Sequence, residues 1–308
     1  MSPAMTEVES MVSSQNPFAP RPDLKVWFDG QIVPVGEARI SVFDHGILYG
    51  DGVFEGIRVY NGKIFKEDEH LRRFYDSAKA IKLKIPMTAD EVSAAMVATL
   101  GANGITADGY IRLEATRGIG SLGISIHKTA NPTVFIIADT ISLYPAAVYE
   151  RGLHCVVSSI ARNHPNTTSP RVKSLNYLNN VLAKAEAIEL GADEAIMLTT
   201  DGFVSECTGD NIFLVRDDVI RTPPTSMGIL AGVTRALVME LAKKRGYQVE
   251  ESALIRHDLY IADECFVTGT AAEIVPVTKI DGRSVGDGQP GPITKTLQRD
   301  FVDYRTSV

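Results

Sequence analysis

The chain has 308 residues, of which 44% are hydrophobic and 22% charged, and its formal net charge is −7. This length suggests about two domains of roughly 150 residues, each large enough to bury its own core. The acidic balance argues against binding to a nucleic-acid backbone, and no apolar run approaches the roughly 18 residues that would span a membrane.

The cysteines and the N-terminus bear on the cellular compartment. Cys155, Cys207 and Cys265 lie far apart and form no C-x-x-C pair, so neither a disulfide framework nor a zinc site is indicated. Residues 1–23 lack the basic segment and apolar core of a secretory signal, and we predict a flexible tail there. We therefore expect a cytoplasmic protein.

Residues 24–141 are predicted to form a small N-terminal domain. Asp29-Gly30 and Asn61-Gly62 are turn dipeptides between β-branched runs, which indicates two antiparallel hairpins. In KEDEHLRRFYDSAKAIKL an acidic first turn precedes apolar residues at helical spacing, namely Leu71, Phe74, Ala78 and Ile81. A second helix is predicted in ADEVSAAMVATLGANG, and YIRLEATRG and TVFIIADTI are strand-like.

A weakly periodic stretch, residues 142–152, is predicted to connect this domain to a larger C-terminal one, residues 153–308. After the strand HCVVSSI comes the helix LNYLNNVLAKAEAIEL, in which one face carries Leu178, Leu182, Ala185 and Ile188. Short strands then follow in EAIMLT, FVSECT, NIFLV and VIRT, before the helix GVTRALVMELAKKRG and a final β segment. Strands and helices occur in blocks, which favours an α+β fold over an alternating parallel one.

The stretch GIGSLG, residues 118–123, matches the dinucleotide pattern G-x-G-x-x-G, with Asp139 at a suitable distance for a ribose contact. A dinucleotide loop must open a helix, whereas the continuation here contains Pro132 and leads into a strand. We therefore expect a flexible glycine loop bordering a cleft and keep a nicotinamide oxidoreductase as an alternative.

Two other segments could bind an anion. Gly232-Val233-Thr234 begins a predicted helix, and Gly269-Thr270 follows a predicted strand. Free N–H groups and a threonine hydroxyl suit phosphate at such positions. The chain has no phosphate loop G-x-x-x-x-G-K-[ST], no H-E-x-x-H zinc motif and no nucleophile elbow, and its six histidines show no metal-ligand spacing, so no metal is expected.

Seven motifs, in order, resemble those of the branched-chain amino acid aminotransferases, which are pyridoxal-phosphate enzymes of fold type IV: HGILYGDGVFEGIRVYNGKIF, EHLRRFYDSA, GYIR, RVKSLNYLNNVLAKAEA, SECTGDNIFLV, GILAGVTR and DECFVTGTAAEIVPV. The resemblance runs from about residue 25 to the C-terminus. It implies a two-lobed α+β fold with a smaller N-terminal α/β lobe, a larger C-terminal lobe with a barrel-like β core, and pyridoxal 5′-phosphate between them.

The resemblance also implies roles for single residues. Lys173 would hold the cofactor as an imine and, once released, move the substrate α-proton. Glu206 would pair with the pyridine nitrogen, and Tyr177 would bind the phenolic oxygen. The remaining cofactor contacts would come from Arg73, Leu230, Val233, Thr234 and Thr270. Arg72 competes with Arg73, and the E-H-x-x-R pattern favours Arg73.

The implied substrate side has aromatic residues, arginines and a backbone loop after Gly269: Tyr49, Phe54, Arg58, Tyr110, Arg112, Thr270, Ala271 and Ala272. An apolar wall suits a branched side chain, and an arginine can bind a carboxylate through two hydrogen bonds. Glutamate as amino donor needs a second cation, for which Arg58, Arg112 and Arg117 remain open.

The predicted reaction is a reversible ping-pong transfer of the amino group of L-leucine, L-isoleucine or L-valine to 2-oxoglutarate. A D-amino-acid transaminase, an amine transaminase and an aminodeoxychorismate lyase share the fold, although F-E-G-I-R and Y-I-R favour the branched-chain enzymes. A binding protein that keeps the fold without catalysis is a further alternative. The family implies at least a homodimer, in which the neighbouring subunit can reach the site.

Overall fold

The computed structural model of the chain describes residues 19–141 and 143–307. Most of the predicted tail, the first residue of the predicted connector and the last residue of the chain lie outside the described residues. The division into domains at residues 142–152 stays a prediction. Within the described ranges, no helix is both long and apolar enough to cross a membrane.

The N-terminal half forms a six-stranded antiparallel sheet in the order β2-β1-β6-β5-β3-β4. Its strands are β1 Lys25–Phe28, β2 Gln31–Pro34, β3 Gly52–Tyr60, β4 Lys63–Ile64, β5 Gly109–Thr116 and β6 Val134–Asp139. Both predicted hairpins are confirmed, because Asp29-Gly30 and Asn61-Gly62 have the positive φ angles that a tight hairpin turn requires.

The described residues of this half form three α-helices: α1 His45–Tyr49, α2 Glu67–Ala80 and α3 Ala89–Ala102. The predicted apolar face of α2 is confirmed, since Leu71, Phe74 and Ala78 are buried against the sheet. A capping box between Thr88 and Glu91 starts α3. The two longer helices thus cover one core together with β3, β5 and β6.

The C-terminal half forms a nine-stranded mixed sheet, whose order is β12-β11-β10-β13-β14-β7-β8-β9 with β15 paired to β14. Its strands are β7 Leu153–Val157, β8 Glu194–Leu198, β9 Val204–Cys207, β10 Asn211–Arg216, β11 Val219–Thr222, β12 Gln248–Glu251, β13 Glu264–Gly269, β14 Glu273–Ile280 and β15 Arg283–Ser284. The pairs β11–β12, β14–β7 and β7–β8 are parallel and the other pairs are antiparallel. This sheet corresponds to the predicted β core of the larger lobe.

The helices of this half are α4 Ala146–Arg151, α5 Leu178–Glu189, α6 Val233–Lys244, α7 Arg256–Ile261 and α8 Pro292–Ser307. The short helix α4 lies within the predicted connector. The apolar face predicted for α5 points away from the core: Leu178, Leu182 and Ile188 are 50% to 69% exposed, whereas Ala183 and Ala187 pack inward. Small side chains therefore bring α5 close to its sheet and leave its larger apolar side chains uncovered.

The G-x-G-x-x-G stretch lies in a loop between β5 and β6. Gly120 forms an isolated bridge with Thr129, and the next helical element is a single 3₁₀ turn at Ile126–Lys128. Asp139 accepts a hydrogen bond from Arg21 instead of lying at the end of a binding crevice. The loop opens no α-helix, which confirms that the dinucleotide match is misleading.

Candidate active site

A cavity of about 920 Å³ lies between the two sheets. It brings together most of the residues that the resemblance singled out: Phe54, Arg73, Tyr110, Arg112, Lys173, Tyr177, Leu230, Val233, Thr234, Thr270 and Ala271. The other four lie outside its wall: Tyr49, Arg58, Glu206 and Ala272. Side chains more than 200 residues apart in sequence thus converge on one space.

Lys173 stands at the junction of the two sheets. The backbone N–H of Phe54 donates to the Lys173 carbonyl at 3.0 Å, so the loop before α5 pairs with the start of β3. Lys173 Nζ donates to the Tyr177 hydroxyl at 3.2 Å and lies 4.3 Å from the centroid of the Phe54 ring. The amine therefore faces two aromatic rings in a half-buried position rather than bulk water.

Glu206 is a buried carboxylate whose two oxygens each accept two hydrogen bonds. Oε1 accepts from Arg162 Nε at 3.0 Å and Nη2 at 2.9 Å, and Oε2 accepts from Asn211 Nδ2 and the Leu230 N–H. Burial raises the pKa of Glu206, and the adjacent Arg162 is the strongest opposing influence. Arg162 was missed by the sequence reasoning, since nothing local marks an arginine 44 residues away as the partner of this acid.

Arg73 is held in the cavity wall by a second buried acid. Its Nε and Nη2 donate to the two oxygens of Glu55 at 2.7 and 2.8 Å, and its Nη1 donates to the Ala231 carbonyl at 2.9 Å. His70, one turn earlier on α2, also contacts Glu55 at 2.8 Å. Burial alone would raise the pKa of Glu55, but Arg73 and His70 together lower it to about 2. Arg72 is exposed outside this cavity, which favours Arg73 as the anion-binding arginine.

Opposite Arg73, helix α6 points its N-terminus at the same cavity. Gly232 is its N-cap and supplies no side-chain cap, so the first N–H groups of the helix stay available to an anion. A Cβ at Gly232 would overlap the Asn211 amide oxygen. Glycine therefore lets the helix terminus approach Asn211 and Glu206 closely.

The turn of residues 270–272, between β13 and β14, forms another part of the wall. Among the described residues, no protein acceptor receives the backbone N–H groups of Thr270, Ala271 and Ala272. Thr270 and Ala271 line the cavity, whereas the side chain of Ala272 is buried in the core of the larger sheet. Successive free N–H groups form a concave site that suits a carboxylate.

The predicted substrate-side arginines differ in their positions. Arg112 lines the cavity, with its guanidinium carbon 3.6 Å from the centroid of the Phe54 ring, and donates to Glu114 at 2.9 Å. Arg58 lies behind the cavity wall and donates to the Ala271 carbonyl. Arg117 is buried in an ion pair with Asp51, away from the cavity. Of these three candidates for a second carboxylate, Arg112 can reach a ligand in the cavity.

Tyr49, another predicted substrate residue, lies outside the cavity wall. Its hydroxyl accepts a hydrogen bond from the Gly123 N–H at 2.8 Å. Tyr49 thereby ties the end of α1 to the glycine loop at residues 118–123.

Sequence reasoning also missed an acidic group in the cavity wall. Glu194 accepts from Lys184, from Thr208 and, at 3.4 Å, from Tyr144. Burial raises the pKa of the neighbouring Asp210 to about 7, and the charge of Glu194 adds to this effect. No group of residues suited to holding a metal ion occurs in the described ranges.

Comparison with known proteins agrees with this geometry. The model of the family described as amino-transferase class IV matches residues 52–280. A relative from Methanocaldococcus jannaschii is 50% identical over 283 residues, covering 92% of this chain and 97% of the relative. The Escherichia coli branched-chain-amino-acid aminotransferase is 38% identical over 292 residues, covering 91% of this chain and 93% of that enzyme.

The fold has a similar counterpart among solved structures. The T.th. branched-chain amino acid aminotransferase complexed with N-(5′-phosphopyridoxyl)-L-glutamate superimposes with a TM-score of 0.88 at 38% identity. The match covers 94% of this chain and 96% of that one, which confirms the predicted two-lobed type IV fold. By sequence and by structure, the chain belongs to the class IV aminotransferases.

Proposed function

We propose that the chain is a pyridoxal-phosphate-dependent transaminase that moves the amino group of L-leucine, L-isoleucine or L-valine to 2-oxoglutarate by a ping-pong route. The observation that carries the proposal is that Lys173 and Arg73 line one cavity, with Glu206 directly behind it. Glu206 is bonded to Asn211 and Leu230, which line the same cavity. An amine, a buried acid and an anion-binding arginine are the three groups that this cofactor requires.

The residues present fit the cofactor. Arg73 and the uncapped N-terminus of α6 offer positive charge and N–H donors for a phosphate. Glu206 lies beyond Asn211 and Leu230, with its charge supported by Arg162. The close approach of Gly232 to Asn211, which a Cβ would prevent, joins the phosphate end of the site to the Glu206 end.

When bound, pyridoxal phosphate supplies an aldehyde that reacts with amines and a protonated ring that accepts electrons from the substrate α-carbon. Glu206, whose negative charge is favoured by its contacts with Arg162, would pair with the protonated ring nitrogen. Lys173 Nζ would carry the proton between the substrate α-carbon and the aldehyde carbon of the cofactor, so that the amino group stays with the cofactor. Tyr177, whose hydroxyl accepts from that amine, positions it and limits its contact with water.

The cavity wall supports an amino acid substrate over an amine. The free N–H groups of residues 270–272 suit the α-carboxylate, and Phe54 and Tyr177 provide an apolar surface for a branched side chain. Arg112 is our candidate for the second carboxylate of glutamate, because it can exchange its contact with Glu114 for one with a ligand. The T.th. structure was solved with a ligand that contains glutamate, which supports glutamate as a substrate of this fold.

We further propose a homodimer. Large exposed apolar side chains occupy one face of α5 and the loop after β5, among them Leu178, Leu182, Leu122 and Ile124. Apolar surfaces of this kind mark interfaces more often than free surface. Analytical ultracentrifugation of the chain and of Leu182→Glu tests the proposal, since a monomer in both cases contradicts it.

The cofactor assignment is tested by the visible spectrum of the purified protein incubated with pyridoxal phosphate. We expect an absorption band that shifts on addition of leucine and is lost in Lys173→Ala. Lys184→Ala is the matched control, because Lys184 also lines the cavity and should leave the band in place. A wild-type protein without any cofactor band would refute the proposal.

The substrate assignment is tested by steady-state kinetics with L-leucine, L-isoleucine, L-valine, D-alanine and an arylalkyl amine. Each is paired with 2-oxoglutarate. A higher kcat/KM with D-alanine or the amine than with every branched-chain substrate would contradict the proposal. It would favour a D-amino-acid transaminase or an amine transaminase instead. The lyase alternative is tested separately with aminodeoxychorismate, from which a lyase would release pyruvate without an oxo-acid acceptor.

A further inference from the structure

A charged cluster lies behind the wall formed by residues 270–272. Glu273 Oε1 accepts a hydrogen bond from the Tyr60 hydroxyl at 2.7 Å and lies 3.6 Å from Arg305 Nη1. Arg58 Nη2 lies 3.9 Å from the same oxygen. The cluster joins strand β3, the start of β14 and the C-terminal helix α8, and its four residues lie outside the cavity lining.

We propose that Tyr60, Glu273 and Arg305 form a brace that fixes the carboxylate-binding turn, so that the C-terminal helix sets the preference of the site for acids over neutral analogues. The inference rests on the proposed function in taking the turn 270–272 as the carboxylate site. The three residues act through the turn, and they are positioning residues rather than catalytic ones.

The first support is the backbone of the turn. Glu273 has a φ of 62°, in the left-handed region that residues other than glycine seldom adopt. Such a conformation persists only where its surroundings hold it. The contacts of the Glu273 carboxylate to Tyr60 and Arg305 do so, and they fix where β14 begins after the turn.

The second support is the direction of the peptide groups. Arg58 Nη2 donates to the Ala271 carbonyl at 3.1 Å from behind the wall. In a planar trans peptide the following N–H points the opposite way, so the Ala272 N–H is directed away from Arg58. The hydrogen bond of Arg58 thereby turns a backbone donor towards the ligand side. Arg58 contributes to carboxylate binding through the turn without touching the substrate.

The third support is the charge of the cluster. The side chains of Arg58, Glu273 and Arg305 are 14%, 17% and 23% exposed, and both guanidinium groups lie over the Tyr60 ring, with Arg305 the nearer at 4.6 Å. Two cations face one carboxylate, which leaves a surplus positive charge behind the turn. At this degree of burial that charge is weakly screened, and it favours an anionic group at the turn.

The test compares an acid and its neutral analogue on the holoenzyme by calorimetry. We expect 4-methylvalerate to bind more tightly than 4-methylvaleramide. Tyr60→Phe and Arg305→Met should each weaken binding of the acid about tenfold and change binding of the amide less than twofold. The first removes a hydrogen bond to the Glu273 carboxylate, and the second removes an ion pair with it. The double variant should lose no more affinity for the acid than the single variant with the larger effect, since both substitutions act through Glu273.

Two variants serve as controls. Arg299→Met, on an exposed part of α8, should change neither affinity, and Arg305→Lys should restore part of the acid binding. The brace would be refuted if Tyr60→Phe and Arg305→Met weakened binding of the acid and the amide equally. It would also be refuted if neither variant changed the affinity for the acid. A wild-type protein that prefers the acid but does not transaminate leucine would overturn the proposed substrate and leave the brace standing.

Discussion

The buried acid behind Arg73 should make the free energy of unfolding depend measurably on pH. Glu55 is fully buried and makes three charge-assisted contacts, two with Arg73 and one with His70. Its pKa falls from 4.5 to about 2 on folding. At about 1.4 kcal/mol per pKa unit, this difference corresponds to about 3 kcal/mol of stability.

The sign of the effect follows from the lowered pKa. The contribution is fully present above pH 4.5, where the unfolded chain is also ionised, and is lost as the pH falls through the folded pKa. About 2 kcal/mol of it should disappear between pH 6 and pH 3. Glu55→Gln has no such group, so its stability should fall less than that of the wild type over the same interval.

The assay is urea unfolding of the wild type and Glu55→Gln at pH 6 and pH 3, with Glu189→Gln on the exposed end of α5 as a control for charge removal. At pH 6 the variant should be about 3 kcal/mol less stable, because Arg73 is left buried without its partner. Inorganic phosphate should narrow that gap by binding Arg73. If Glu55→Gln and the wild type lose equal stability between the two pH values, the reasoning is refuted.

Three further predictions concern the rest of the site. Arg162→Met leaves Glu206 buried without its main partner and should lower the free energy of unfolding by about 3 kcal/mol in chemical denaturation, with Arg162→Lys losing less. The raised pKa of Asp210, about 7 against 3.8, means that the folded state holds a proton that the unfolded chain has lost, so stability falls as pH rises from 4 to 7. Asp210→Asn should remove this fall and stabilise the protein at pH 8 by up to about 4 kcal/mol. Thermal or urea unfolding of both proteins at pH 4 and at pH 8 measures the difference. Gly232→Ala should displace Asn211 from Glu206 and weaken cofactor binding about tenfold in an absorbance titration, whereas an unchanged affinity would contradict the proposed close approach.

Local features of the chain were predictable because their causes are local. The two hairpins depend on Asp29-Gly30 and Asn61-Gly62, which can adopt positive φ angles whatever surrounds them. Helix α2 depends on the spacing of its apolar residues and its acidic first turn. The ordered motifs then placed Lys173 among the candidate residues, and the structure brings it to the cavity.

The periodicity of apolar residues did not predict which face of a helix is buried where close packing, rather than side-chain polarity, decides its exposure. It predicted the apolar face of α5 but not its direction, since alanine and asparagine allow closer packing on the sheet than leucine does. It also could not choose between Arg72 and Arg73, which are adjacent on the same turn. The choice followed from Glu55, a residue on a different element.

The sequence by itself determined the hairpin turns, the helices α2, α3, α5 and α6, and the order of the chemical groups, because each of these depends on residues within a few positions of one another. Helices α1, α4, α7 and α8 were not predicted. Tertiary structure alone decided how the buried charges are paired: Arg162 with Glu206 across 44 residues, and Arg73 with Glu55 across 18. A buried charge is stable only beside a partner, and that partner can come from any segment that the fold brings near. For this reason the residues that tune the site were found in space rather than in the sequence.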